Sequence, residues 1–329
     1  MSGDHCDRVS VMIQPGPECW ITAILTALFY SQGMRNLLVE KALPQWDTVS
    51  SHKLHDLFED ILTRRYVHKH TMRDYATLFF NKITPKAILK ELYNMDASTF
   101  EFNPDKQAGY FNYFYLPKLL TFLGIHNILL LDWDIRTKKT FYSANYNKYS
   151  KITAAPKKKD RYSLIFEGPS KSDIRDVIKQ SSSPDVIIVF CRGDNTPYNA
   201  HSKYPGKFTP GDLELIHNKQ TYVCDSLLLT NFNTLQCKKG HDIAGVTCGG
   251  KRFMYNGWVR STVDPARGNT KVVPSKMGEL PCELMPYDWL KSDDDFCIST
   301  TRCGLKNNHA SKTKVCFNVS KGPRVYIYV

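Results

Sequence analysis

Apolar positions along the chain change texture about a third of the way through. In the first stretch they recur at helical spacing. Ile21, Ile24, Leu25 and Leu28 follow the i, i+3, i+4, i+7 pattern and predict a helix with one buried face. Leu54, Leu57, Phe58, Ile61 and Leu62 mark a second amphipathic helix. Thr84 followed by Pro85 is a start signal for a third, carrying Ile88, Leu89 and Leu92, because proline's missing N–H costs nothing at the first helical position. Leu116, Leu119, Leu120 and Leu123 predict a fourth, ended by Gly124. Beyond it the apolar runs become short and unbroken. Residues 127–131, 162–166, 186–190 and 222–229 have the character of buried strands. The expectation is an α+β chain: a helical lobe over about 1–125 and a strand-rich lobe over about 126–329 within one catalytic domain, 1–329. There is no internal repeat, and 181–184, Ser-Ser-Ser-Pro, reads as a turn or short linker.

A tight hairpin stands out in the second lobe. Gly249-Gly250 separates two strand-like runs, a strong signal for a two-residue turn. If these two residues form the loop, cross-strand partners have numbers that sum to 499, as 249 and 250 do. His241 then faces Trp258, and Asn256 lies one diagonal step away on the same face, within reach of an imidazole. A catalytic histidine needs one nitrogen toward the nucleophile and the other held by an acceptor, and the Asn256 side-chain oxygen is suited to the second task.

The matching nucleophile is Cys19. A Pro/Gly segment, Gln14-Pro15-Gly16-Pro17, gives way to the first helix at this cysteine. Unpaired backbone N–H groups and the positive end of the helix dipole favour negative charge there, so the thiol is expected to ionise more easily. Glu18, immediately before it, works against the thiolate unless its side chain turns away.

With these two elements in view, the chain resembles the ubiquitin-specific proteases, a papain-like family of cysteine peptidases. Gly16, Cys19, Trp20, Ala23 and Leu25 match the family's cysteine box, and Gly240, His241, Tyr255 and Asn256 match its histidine box. Gln14 stands where the family usually has an asparagine of the oxyanion hole, and its amide could serve as donor. Thr22 and Thr26 replace residues that are typically Asn and Gln. Segments 281–289, 295–297 and 316–329 are similar to parts of ubiquitin-specific-protease-like proteins of large DNA viruses. The resemblance implies a papain-like fold in which the helical lobe carrying the cysteine packs on an antiparallel sheet carrying the histidine. It implies a catalytic set of Cys19, His241, Asn256 and Gln14 and, as partners, ubiquitin or ubiquitin-conjugated proteins, with virion components a further possibility. It places the protein in infected cytoplasm or in a virion. Alternatives are a peptidase for another ubiquitin-like modifier or a viral precursor, and an inactive virion or interaction protein that keeps the fold.

Composition narrows the classes. No apolar run is long enough to span a bilayer, and the start, Met-Ser-Gly-Asp-His, lacks a signal-peptide pattern, so no membrane partner is expected. Ten cysteines in that context are expected to be reduced thiols. The paired Cys-x-x-Cys motifs of a zinc finger are missing; Cys282, Cys297, Cys303, Cys316 and His309 have no diagnostic spacing, so neither metal nor other cofactor is expected. The net charge of +12 suits acidic partners, including nucleic acid. The basic residues are nevertheless dispersed, and the densest run, Lys157-Lys158-Lys159, reads as a solvated loop within 154–160.

Overall fold

The computed structural model describes residues 18–46, 53–63, 85–100, 112–134, 138–145, 151–157, 161–167, 183–191, 202–203, 207, 209–232, 240–257, 285–299, 302–307 and 315–329. Among them every helix precedes every strand. The helices are α1 (Cys19–Tyr30), α2 (Gln32–Leu37), continued by a π-helical turn (Leu38–Ala42) into α3 (Leu43–Trp46), then α4 (Lys53–Thr63), α5 (Pro85–Met95) and α6 (Asn112–Phe122). The strands are β1 (Ile128–Asp134), β2 (Lys139–Asn145), β3 (Lys151–Lys157), β4 (Arg161–Glu167), β5 (Val186–Cys191), β6 (Ser202–Lys203), β7 (Glu214–His217), β8 (Gln220–Thr230), β9 (Asp242–Cys248) and β10 (Lys251–Tyr255). After them come β11 (Met285–Pro286), β12 (Phe296–Ser299), β13 (Arg302–Asn307), β14 (Val315–Phe317) and β15 (Arg324–Tyr328).

The protein is α+β with a mostly antiparallel central sheet. Its order is β11-β10-β9-β8-β15-β5-β1-β2-β6, with β7 added on β8. Only β1 and β5 run parallel among the described pairs. The 162–166 run does form a strand, but β4 pairs with β3 in a separate two-stranded sheet, and β3 carries 154–157, which the charge pattern assigns to a loop.

Alternation along the strands builds two cores. Ile128, Leu130, Ile188, Phe190, Leu228, Val246 and Ile327 join the helices on one face. Leu129, Leu131, Ile187, Val189, Leu227, Leu229 and Tyr328 join Phe296, Ile298, Val315 and Phe317 of the small β13-β12-β14 sheet on the other. The fold is thus helices, large sheet and small sheet in layers. Strand β5, Val-Ile-Ile-Val-Phe-Cys, is apolar throughout because both its faces are covered.

Helix α1 departs from its pattern. Residues 20 to 30 are all buried, not one face of them, because α1 lies on β9 and β8 while α4 and α6 close over it. Phe29 stacks on Phe58 of α4 with ring centres 4.8 Å apart, and Trp20 meets Tyr115 of α6 edge-on at 4.8 Å. The hydroxyls of Thr22 and Thr26, polar in this apolar setting, donate to the carbonyls one turn back, at 2.9 Å to Glu18 and 2.7 Å to Thr22. That accounts for them as structural residues.

The corner after α1 is clamped to the sheet. Asp225 of β8 accepts the N–H groups of Gly33 and Met34 at 2.7 and 2.9 Å, satisfying donors that the start of α2 would leave orphaned. Ser31 donates to the Asp225 carbonyl at 2.7 Å and accepts the Thr247 N–H at 3.0 Å. A Cβ on Gly33 would stand 2.8 Å from the Asp225 Oδ1, so this position needs glycine for space. Asp225→Ala is expected to cost about 2 kcal/mol by leaving buried donors unmet. Gly33→Ala is expected to be destabilising in the native background and close to neutral in Asp225→Ala. Urea unfolding of the two single variants and the double variant reads this coupling directly, and additive costs would contradict it.

Candidate active site

Turn chemistry sets the histidine hairpin. Gly249 and Gly250 both take positive φ, 57° and 72°, as a two-residue turn of this type demands. The pairs Lys251↔Cys248, Arg252↔Thr247, Phe253↔Val246, Met254↔Gly245 and Tyr255↔Ala244 all sum to 499. His241 sits one residue ahead of β9 and Asn256 one residue after β10. Both are buried, and His241 Nε2 lies 2.7 Å from Asn256 Oδ1. An amide oxygen accepts, so Nε2 carries the proton in the neutral ring and Nδ1 is the basic nitrogen. Trp258, the expected partner across from His241, lies outside the described residues.

The histidine backbone is held as firmly as its ring. Asn231, just past β8, accepts the His241 N–H at 2.8 Å through Oδ1 and donates its own N–H to the His241 carbonyl at 3.1 Å. Phe317 of β14 meets the imidazole edge-on, with centres 6.2 Å apart, and itself stacks on Phe296 at 5.5 Å. Burial lowers the imidazole pKa to about 4, against the upward pull of the Asn256 bond, so the ring is neutral at pH 7.

Cys19 begins α1, and α1 lies along β9. Hydrogen bonding from the backbone at Asp242, the residue after His241, and at Trp20 and Cys19 pulls its pKa down. The helix start therefore acts in the expected direction. It is outweighed. Burial first, and the Asp242 carboxylate second, push the thiol up to about 12, so Cys19 is a neutral thiol, contrary to the thiolate the helix start suggests. Glu18 caps α1 with its carbonyl, which accepts the Thr22 N–H at 3.0 Å, and its buried Oε2 has no hydrogen-bond partner among the described residues.

Asp242 is the feature that pattern reading passed over. It pairs with Thr230 across β9 and β8, and the Thr230 hydroxyl donates to its carboxylate. Burial still raises its pKa to about 6. Asp242 was visible beside His241 in the chain, but its approach to Cys19 depends on how α1 sits on the sheet. Asn231 and Phe317 carried no local signal, since only the β8 and β14 registers bring them to the imidazole.

Of the expected site residues, His241 and Asn256 meet at the open end of the hairpin and Cys19 begins the helix that packs on β9, while Gln14 and Gly16 lie outside the described residues. The expectation of reduced thiols is overturned for part of the set. Cys297 and Cys316 are directly paired across β12 and β14 and form a disulfide, and Cys248 is also disulfide-bonded, because strand register brings Cys297 opposite its partner. Cys19, Cys191 and Cys224 are not in disulfides. Among the described residues no group of three His, Cys, Asp or Glu side chains is arranged to hold a metal ion. Cys282 and His309, considered for a late zinc site, lie outside them, as does the Cys303 side chain. No described helix is long and apolar enough to cross a membrane. No protein-family model matches this chain, and no curated protein matches it.

Proposed function

We propose that the protein is a cysteine-dependent deubiquitinase of papain-like design, hydrolysing the bond after the ubiquitin C-terminus. The observation that carries the reading is the 2.7 Å contact of His241 Nε2 with Asn256 Oδ1, at the strand against which the Cys19 end of α1 is packed. That contact leaves Nδ1 as the nitrogen for the nucleophile's proton. Buried, orienting contacts of this kind suit a base better than a surface histidine.

In this mechanism His241 Nδ1 takes the Cys19 proton as the sulfur attacks the carbonyl carbon at the ubiquitin C-terminus. Backbone N–H groups at the start of α1, with the Gln14 amide, stabilise the oxyanion. The tetrahedral intermediate collapses as the imidazolium returns the proton to the leaving amine, giving a thioester and the freed amine. Water, deprotonated by His241, then hydrolyses the thioester. Ubiquitin as substrate, and the infected host cytoplasm or virion as setting, rest on the resemblance of the two boxes and the tail segments.

The acidic surroundings of Cys19 favour one second reading, an inactive interaction or virion protein that keeps the fold. A ubiquitin carrying a C-terminal electrophile separates the two. Covalent labelling of the native chain, lost in Cys19→Ala, is the expected result. Labelling that persists without Cys19 removes the nucleophile assignment, and a probe of another modifier that labels where ubiquitin does not redirects the substrate. No labelling by any such probe leaves the inactive reading.

A further inference from the structure

The base is tied to a strand that has no part in the acyl-transfer steps. Strand β14 is three residues long and stands at one end of the small sheet, where among the described strands it pairs only with β12. Its register sets Phe317 opposite Phe296, Cys316 opposite Cys297 and Val315 opposite Ile298. Side chains alternate across a strand, so Phe317 and Val315 join the second core while Cys316 takes the other side. Two contacts then run from β14 to His241. The Phe317 ring, backed by Phe296 at 5.5 Å, meets the imidazole edge-on at 6.2 Å. The Cys316 carbonyl accepts the Phe232 N–H at 3.1 Å, and Phe232 follows Asn231, which holds the His241 N–H at 2.8 Å and the His241 carbonyl at 3.1 Å.

A strand this short is a weak holder. A single neighbour gives it few backbone hydrogen bonds, and short edge segments open locally at low cost. The Cys297–Cys316 disulfide removes that freedom, because it joins the directly opposed residues at the middle of the β12–β14 pairing. We propose that β14 positions the base, with Phe317 as the positioning residue and the Cys297–Cys316 disulfide as the tie that holds it, so that acyl transfer by this chain depends on a disulfide outside the catalytic set. This rests on the reading of His241 as the base and not on the identity of the substrate. Phe317 is fully buried, so its influence reaches the reaction through the imidazole and not by touching substrate. The signature of its loss is therefore a lower kcat at unchanged KM.

The test compares the full-length wild type with Cys297→Ala/Cys316→Ala, which removes the tie, and with Phe317→Leu, which keeps the tie and an apolar side chain but removes the ring. Proton–carbon NMR spectra of the imidazoles, with the His241 signal assigned by its absence from His241→Ala, read the contact itself, because an aromatic ring held edge-on shifts the protons beside it. In Cys297→Ala/Cys316→Ala the His241 signal is expected to move from its wild-type position toward that of Phe317→Leu. The His241 amide is expected to exchange about tenfold faster with deuterated water, as local opening of its clamp becomes easier. Hydrolysis of a ubiquitin C-terminal amide with a fluorescent leaving group is expected to fall about tenfold to a hundredfold in kcat in both variants, the scale for a catalytic group displaced by about 1 Å. A His241 signal and amide exchange rate that stay at their wild-type values in folded Cys297→Ala/Cys316→Ala overturn the proposal. So does a wild-type kcat in Phe317→Leu, which reports even where the double variant folds poorly. Absence of ubiquitin hydrolysis by the wild type, alongside the expected NMR changes, would instead remove the substrate reading and leave the positioning of His241 standing.

Discussion

His241→Ala is expected to slow acylation of Cys19 by a ubiquitin electrophile by about 10²–10⁴-fold, the range for loss of a positioned general base. The reasoning starts from the thiol. With a pKa pushed up to about 12, Cys19 holds almost no thiolate at neutral pH, so its proton has to leave during attack. A cysteine peptidase with a preformed thiolate would tolerate loss of its base better in a reaction that needs no leaving-group proton. Here the base is expected to matter even for such a probe. Asn256→Ala should cost less, because the Asn231 clamp and Phe317 still place the imidazole, and the loss is one of ring orientation and tautomer. Rates fitted from intact-mass time courses for the two variants give the comparison. An Asn256→Ala defect as deep as that of His241→Ala would show that the amide does more than orient.

Asp242→Asn is expected to raise stability at pH 7.5 by on the order of 3 kcal/mol, and to expose an acid sensitivity that the native protein conceals. The buried His241 and the half-buried Asp242 act with opposite sign. His241 titrates near 6.5 in the unfolded chain and at about 4 when folded, so unfolding takes up a proton between these values. Its contribution is full above about pH 6.5 and is lost as pH falls toward 4. Asp242 titrates near 3.8 unfolded and about 6 folded, so folding retains a proton in nearly the same window. Its contribution is present at acid pH and is lost as pH rises through 6. Each difference, at about 1.4 kcal/mol per tenfold, is worth on the order of 3 kcal/mol, and the two slopes nearly cancel between pH 4 and 6. Removing the carboxyl leaves the histidine slope alone. Urea unfolding at pH 4.5, 6 and 7.5 should show a nearly flat wild type and a steep Asp242→Asn. A variant whose stability follows the wild type at all three pH values would show that Asp242 titrates normally in the folded state.

The hairpin shows how far local chemistry reaches. Two glycines able to take positive φ define a two-residue turn, the turn defines register, and the register delivers Asn256 to His241 without reference to the rest of the fold. The start of α1 at Cys19 is equally local, because prolines and a glycine precede an apolar helical run. Strand β15 is the opposite case. Its Arg-Val-Tyr-Ile-Tyr run has clear strand character, but its place between β8 and β5 depends on pairings with segments about a hundred residues away or more. The burial of α1 on every side and the opposition of Cys297 to Cys316 belong to the same class.

The sequence by itself determined the kinds of element, the point where α1 begins, and the partnership of His241 with Asn256, since each follows from turn geometry or short-range periodicity. Only the tertiary structure decided the charge state of the Cys19 thiol. A helix start favours a thiolate through a few nearby N–H groups, but desolvation depends on every layer packed around the sulfur, and the Asp242 carboxylate reaches it only because α1 lies on β9. Those long-range terms outweigh the local one, and they make Cys19 a neutral thiol.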